Sequence, residues 1–255
     1  MDTIYNKENK IFNEIKSTLS QKDQERFVMD GLCWANICCG ENLHKNVFVE
    51  MENLYLQRRP RIVFLLKEPN KNDGEDYRDW HWSEKKGNPI FGDSIAFWLE
   101  GILSTTTTYI PALKELRQNR EIFAEQPFVI LNVKKISGGG KSQWNVIFDY
   151  AKKYAKQLQI QIGLYNPDII ICCGSTDNET DEQRMLTIAR KYLYPNSDFN
   201  KINNFCYYCN EKHILLIDSY HPSCRKVDDE DKFNQMFKCY HNFLKENICN
   251  LKEFR

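Results

Sequence analysis

The sequence predicts an α/β fold: a parallel sheet with helices packed on both faces, three layers deep. Two observations carry this. Four continuous apolar runs, at residues 62–66, 128–131, 169–173 and 214–217, have strand length and no polar alternation, as strands buried on both faces require. The stretches between them place apolar residues at helical spacing, and alternation of strand with helix leads to parallel pairing. A third observation points to where function sits. The first three runs stop abruptly, at Lys67-Glu68-Pro69-Asn70, Asn132 and Gly174, and the fourth leads through Asp218-Ser219-Tyr220 to His221-Pro222-Ser223. Open α/β sheets bind their ligands beyond the carboxyl ends of the strands.

Residues 6–32 are densely charged, with Ile11, Phe12 and Ile15 at helical spacing. Residues 1–58 are therefore expected to form an N-terminal helical extension packed on the core. Residues 59–255 form the α/β domain. After the first strand, the polar loop 71–88 holds Tyr77, Trp80 and Trp82, aromatics suited either to packing that loop down or to stacking on a nucleic acid. Ile95, Trp98, Leu99 and Ile102 then mark a helix over 94–103. The second strand is followed by a glycine-containing loop at 137–141 and a helix over 145–164. Pro167 opens the third strand. Residues 205–208 read as a strand that turns at Asn210-Glu211-Lys212 into the fourth. Amphipathic sequence over 229–251 closes the chain as a helix.

Composition narrows the classes of function. The 255 residues carry 35 Lys and Arg against 35 Asp and Glu, so overall charge gives no attraction for a polyanion. Nucleic-acid binding would need a local basic patch. No window approaches the roughly 18 apolar residues of a membrane span. The first ten residues are polar and lack the apolar core of a secretory signal. Ten cysteines then read as thiols of a reducing compartment, and a cytoplasmic location is expected.

The strand ends and one loop together offer Glu68, Asn132, His221 and Phe91. A ring can stack a planar base and an amide can pair with its edge. A carboxylate can orient water or stabilise a cationic sugar, and an imidazole can stabilise charge on a departing base. In these motifs, from about residue 61 to 225, the chain resembles the uracil-DNA glycosylase superfamily. The match comprises Leu66-Lys67-Glu68-Pro69-Asn70, Pro89-Ile90-Phe91-Gly92, Asn132 with its lysines, Asn166-Pro167-Asp168 before the third strand, and His221-Pro222-Ser223.

The resemblance implies a four-stranded parallel sheet in the order 2-1-3-4. It also implies a monofunctional glycosylase acting on DNA without a cofactor, with Glu68 and His221 catalytic. Phe91 would stack the flipped base, Asn132 would read it, and Asn70 would border it. Ser223 and Arg225 would meet the DNA backbone, extended by Lys134, Lys135 and Lys141. Two departures weaken the expectation of strict uracil specificity: Leu66 stands where the family has glycine, and Asn70 where uracil enzymes carry tyrosine. A binding module that keeps the pocket with little hydrolysis is the alternative, and hydrolysis of free nucleosides a third.

Two other motifs carry less. Ser137-Gly138-Gly139-Gly140-Lys141-Ser142 lacks the spacing of a phosphate-binding loop, because Val133 occupies the place of the first glycine. Cys206-x-x-Cys209 with His213 has zinc-like spacing, to which Cys33, Cys38 and Cys39 would add ligands. Residues three apart on an extended strand point to opposite faces, so no metal is expected.

Overall fold

The computed structural model describes residues 2–33, 45–71, 73–80, 82, 89–116, 120, 122–139, 142–175, 184–224 and 227–246. Helices α1 (Ile4–Lys16) and α2 (Gln21–Glu25) lead to strand β1 (Gly31–Cys33) and helix α3 (Lys45–Gln57). Strand β2 (Ile62–Leu66) is followed by α4 (Pro89–Ser104) and two short helices, α5 (Leu113–Leu116) and α6 (Ile122–Glu125). Then come β3 (Phe128–Asn132), α7 (Trp144–Lys153), α8 (Ala155–Tyr165) and β4 (Ile169–Ser175). The chain continues through α9 (Met185–Ile188), a π-helical turn (Ala189–Leu193), β5 (Asn200–Lys201), β6 (Cys206–Cys209) and β7 (Ile214–Tyr220) to α10 (Asp229–Glu246).

The seven strands of the described residues form one mixed sheet in the order β1-β3-β2-β4-β7-β6-β5. The four apolar runs are neighbours at its centre and pair in parallel, β3 with β2, β2 with β4, and β4 with β7. Their side chains alternate between the two faces and are buried on both, which is why no polar residue interrupts them. The sheet is wider than the four strands expected. Antiparallel β1 covers one edge through Gly31 opposite Ile130, and the β6–β7 hairpin with β5 covers the other. An N-terminal segment expected to be helical thus supplies a strand. Three residues are too few to display a period.

From β2 the chain crosses to β3 on one side, then back past β2 to β4 on the other. Right-handed crossovers in opposite directions put their helices on opposite faces. Accordingly α4 packs with α5, α6 and α10, whereas α8 packs with α1, α7 and the π-helical turn. The ring of Phe64 on β2 stacks on Trp98 of α4 at 6.4 Å. Gly101 of α4 meets the buried ring of Phe237 on α10 so closely that a Cβ there would collide with it. The helix expected over 145–164 is interrupted at Tyr154, where φ −109 and ψ 21 leave the helical region.

Tyr77, Trp80 and Trp82 pack into one aromatic cluster, Tyr77 and Trp82 being buried. Cys206 and Cys239 are in disulfide-bonding contact, joining β6 to α10 with their Cα atoms 6.4 Å apart. Cys206 therefore faces α10 and not Cys209. Cys33, Cys172, Cys173, Cys209 and Cys224 are free. Cys38 and Cys39 lie outside the described residues. No described helix is long and apolar enough to cross a membrane.

Candidate functional site

The connection leaving the carboxyl end of β2, to β3, and that leaving β4, to β7, run in opposite directions, which makes the crevice between these two strand ends the topological switch point. Lys67 and Glu68 follow β2 there, and Gly174 lies near the end of β4. Gly174 has φ +138, a conformation that favours glycine, and a Cβ on it would strike the Lys67 side chain. The Lys67 ammonium rests on the face of Trp144, 4.2 Å from the ring centroid. Neither Lys67 nor Trp144 stood out in the sequence. The usable signal was that Lys67 shares its strand end with Glu68.

The loops after β2 and β3 remain zipped together. Val133 and Lys134 donate backbone hydrogen bonds to Leu66 and Lys67 at 2.9 Å each, and Gly138 donates to Pro69 at 2.8 Å. This brings the Lys134 ammonium onto the Glu68 carboxylate as an ion pair whose side chains are only 11% and 7% exposed. A Cβ on Gly138 would overlap the Glu68 carboxyl group, so a side chain there would displace that carboxylate. Asn70 is exposed, and its backbone bridges to Gly138.

On the other side of the crevice, Ser94 donates from its hydroxyl to the Pro222 carbonyl at 2.9 Å, tying the first turns of α4 to the corner after β7. Phe91 lies one turn before Ser94 on the same helix face. Its ring centroid is 6.0 Å from that of His221, with planes inclined by 40°, and 6.1 Å from that of Trp82. His221 is half-buried, and its Nδ1 accepts the Ser223 backbone N–H at 3.1 Å. Burial, reinforced by the Lys67 charge, pushes the imidazole pKa down from 6.5 to about 4. The ring is neutral at pH 7. Because Nδ1 is an acceptor, Nε2 carries the proton.

Two expected site residues have other partners. Asn132 is 1% exposed, and both its backbone N–H and its side-chain Nδ2 donate to Asp30 Oδ2, at 2.8 and 3.0 Å. Lys135 is 2% exposed and pairs with the other Asp30 oxygen at 2.5 Å, so its expected place at a DNA-facing surface is corrected. Burial drives the Lys135 pKa down despite this pairing. Gln161 donates to Asp30 and to the Tyr165 hydroxyl. Tyr165 donates to Glu8 at 2.7 Å, and Glu8 pairs with Arg78 at 2.9 Å, both carboxylate and guanidinium being fully buried. Asn132 and Lys135 thus belong to an interior polar network, supplied in part by α1 and the turn before β1.

Ser223 contributes its backbone N–H to His221. Lys141 and Arg225 lie outside the described residues. Among the described residues no group of three or more His, Cys, Asp or Glu side chains is arranged to hold a metal ion. No protein-family model and no curated protein sequence matches this chain.

Proposed function

We propose that the protein is a DNA glycosylase of the uracil-DNA glycosylase type: it accepts a flipped, deaminated or modified base and hydrolyses the N-glycosidic bond. The observation that carries this reading is the neutral His221, fixed as an Nε2–H donor and set beside the Phe91 ring at the carboxyl edge of a doubly wound sheet. A ring beside a neutral donor suits a planar base with an exocyclic oxygen. As the bond from C1′ to the base nitrogen breaks, its electron pair passes to the base. The developing charge on the base oxygen is met by Nε2–H, with the nearby Lys67 ammonium favouring the same charge. Water attacks C1′ and gives a proton to Glu68, and the released base takes up a proton in turn. The products are the free base and an abasic sugar.

A second reading has its own observation. Glu68 is held in an ion pair with Lys134, and the Asn132 amide is bound to Asp30. A pocket of this kind would bind a base with little hydrolysis. Oligonucleotides carrying uracil, hypoxanthine, xanthine or a thymine mismatch separate the two readings when abasic sites are assayed. Base release that disappears in Glu68→Gln and His221→Asn supports the glycosylase. Binding without release from any of these substrates supports the module and overturns the glycosylase.

A further inference from the structure

The overall neutrality of the chain requires a local basic surface for any polyanion, and Lys134 and Lys135 are occupied by carboxylates. Such a surface exists elsewhere. A groove of about 420 Å³ opens between α9 with its π-helical turn and the β5–β6 edge, lined by Arg184, Thr187, Arg190, Lys201, Phe205 and Tyr207 among others. Among the described residues, no carboxylate lines it. Arg184 is offset by the buried Asp218 carboxylate at 3.2 Å, which leaves Arg190 and Lys201, both exposed, as the groove's excess charge. The Arg190 guanidinium lies 4.7 Å over the Tyr207 ring, which restricts its plane. Phe205 is 39% exposed and lines the groove.

From this geometry we infer that the groove binds a single-stranded nucleic acid, with Arg190 and Lys201 on phosphates and Phe205 as a stacking platform. Cations spaced along an open trough suit a continuous phosphodiester backbone, and an exposed ring supplies the sequence-tolerant stacking that single strands use. The trough lies along the carboxyl edge of the sheet. Phe205 accepts a 2.7 Å hydrogen bond from the Asp218 backbone on β7, and Met185 approaches Gly174 at the end of β4. At about 4.8 Å between strands, β6 is roughly 10 Å from β4. A strand held in the groove is therefore led towards the crevice that holds Lys67 and His221. The inference stands apart from base release and does not require it.

The test is fluorescence anisotropy with a labelled 12-nucleotide oligothymidylate, which carries no deaminated base. Asp177, Glu179, Asp181 and Glu182 precede Arg184 in the chain, so the intact protein is used and these carboxylates count against the cations. The double variant Arg190→Glu/Lys201→Glu changes exposed side chains, and its thermal midpoint checks folding. We expect it to bind at least tenfold more weakly and to lower the slope of log affinity against log salt by about 1.4, the value for two phosphates on a single strand. Phe205→Ala should weaken binding about tenfold. Unchanged affinity and slope in a folded double variant would overturn the inference. So would competition by thymidine monophosphate at the concentration of the oligonucleotide, which would make the ligand a mononucleotide.

Discussion

Replacing His221 with Asn tests the protonation state on which the site chemistry rests. Asparagine Oδ1 can take the position of Nδ1 and keep the Ser223 N–H as its donor, while removing the titration. The imidazole pKa is about 4 in the fold against 6.5 in the unfolded chain, so the unfolded chain binds the proton more tightly. The stability this group contributes is complete above pH 6.5 and is lost as pH falls from there towards 4. At pH 5 the unfolded chain has taken up the proton, about 1.5 units below its pKa, and the folded protein has not. At about 1.4 kcal/mol per unit the parent should lose about 2 kcal/mol relative to His221→Asn between pH 7.5 and pH 5. Urea unfolding of both proteins at four pH values measures that difference. Other groups titrate in this window, among them Glu8, raised by burial to about 7, but they are common to both proteins and cancel. Parallel loss of stability in the two proteins would refute the neutral imidazole, and with it the Nε2–H donor. An NMR titration placing His221 near 6.5 would do the same.

Asp30→Ala should cost about 3–5 kcal/mol in urea unfolding because it strands the buried Lys135 ammonium, and the apolar pair Asp30→Leu/Lys135→Met should recover only part of it, since the Asn132 and Gln161 donors stay unmet. Gly101→Ala drives a methyl group into the buried Phe237 ring and should lower stability by about 1–3 kcal/mol, read from thermal melting. Gly138→Ala pushes against the Glu68 carboxyl group; base release should fall by roughly a hundredfold while the melting midpoint moves little. Release at the parental rate in that variant would mean that the position of Glu68 is immaterial.

The four central strands were legible because burial on both faces demands unbroken apolar runs, and such runs are a local property of the chain. The α4 helix and the β6–β7 hairpin were legible for the same kind of reason, the first from apolar spacing and the second from its polar turn at 210–212. The ends of those runs also located the crevice, since the carboxyl edge of a parallel sheet follows from strand direction. The partners of the polar residues at that edge were not legible. Asn132 looks the same in sequence whether it faces a ligand or donates to Asp30, a residue 102 positions away. Lys134 and Lys135 are adjacent and chemically alike, yet one pairs with Glu68 at the crevice and the other is sealed inside against Asp30.

Sequence by itself determined the α/β class, the central strands, and which strand ends share one edge of the sheet. Hydrophobic burial acts on each segment through its own periodicity and leaves a local trace. Tertiary structure alone decided which charges pair, that β1 and β5 widen the sheet, and that the Lys67 charge acts on His221. Pairing of charges is a contest among groups far apart in the chain, and it is settled by which carboxylate the folded backbone carries within reach of which cation.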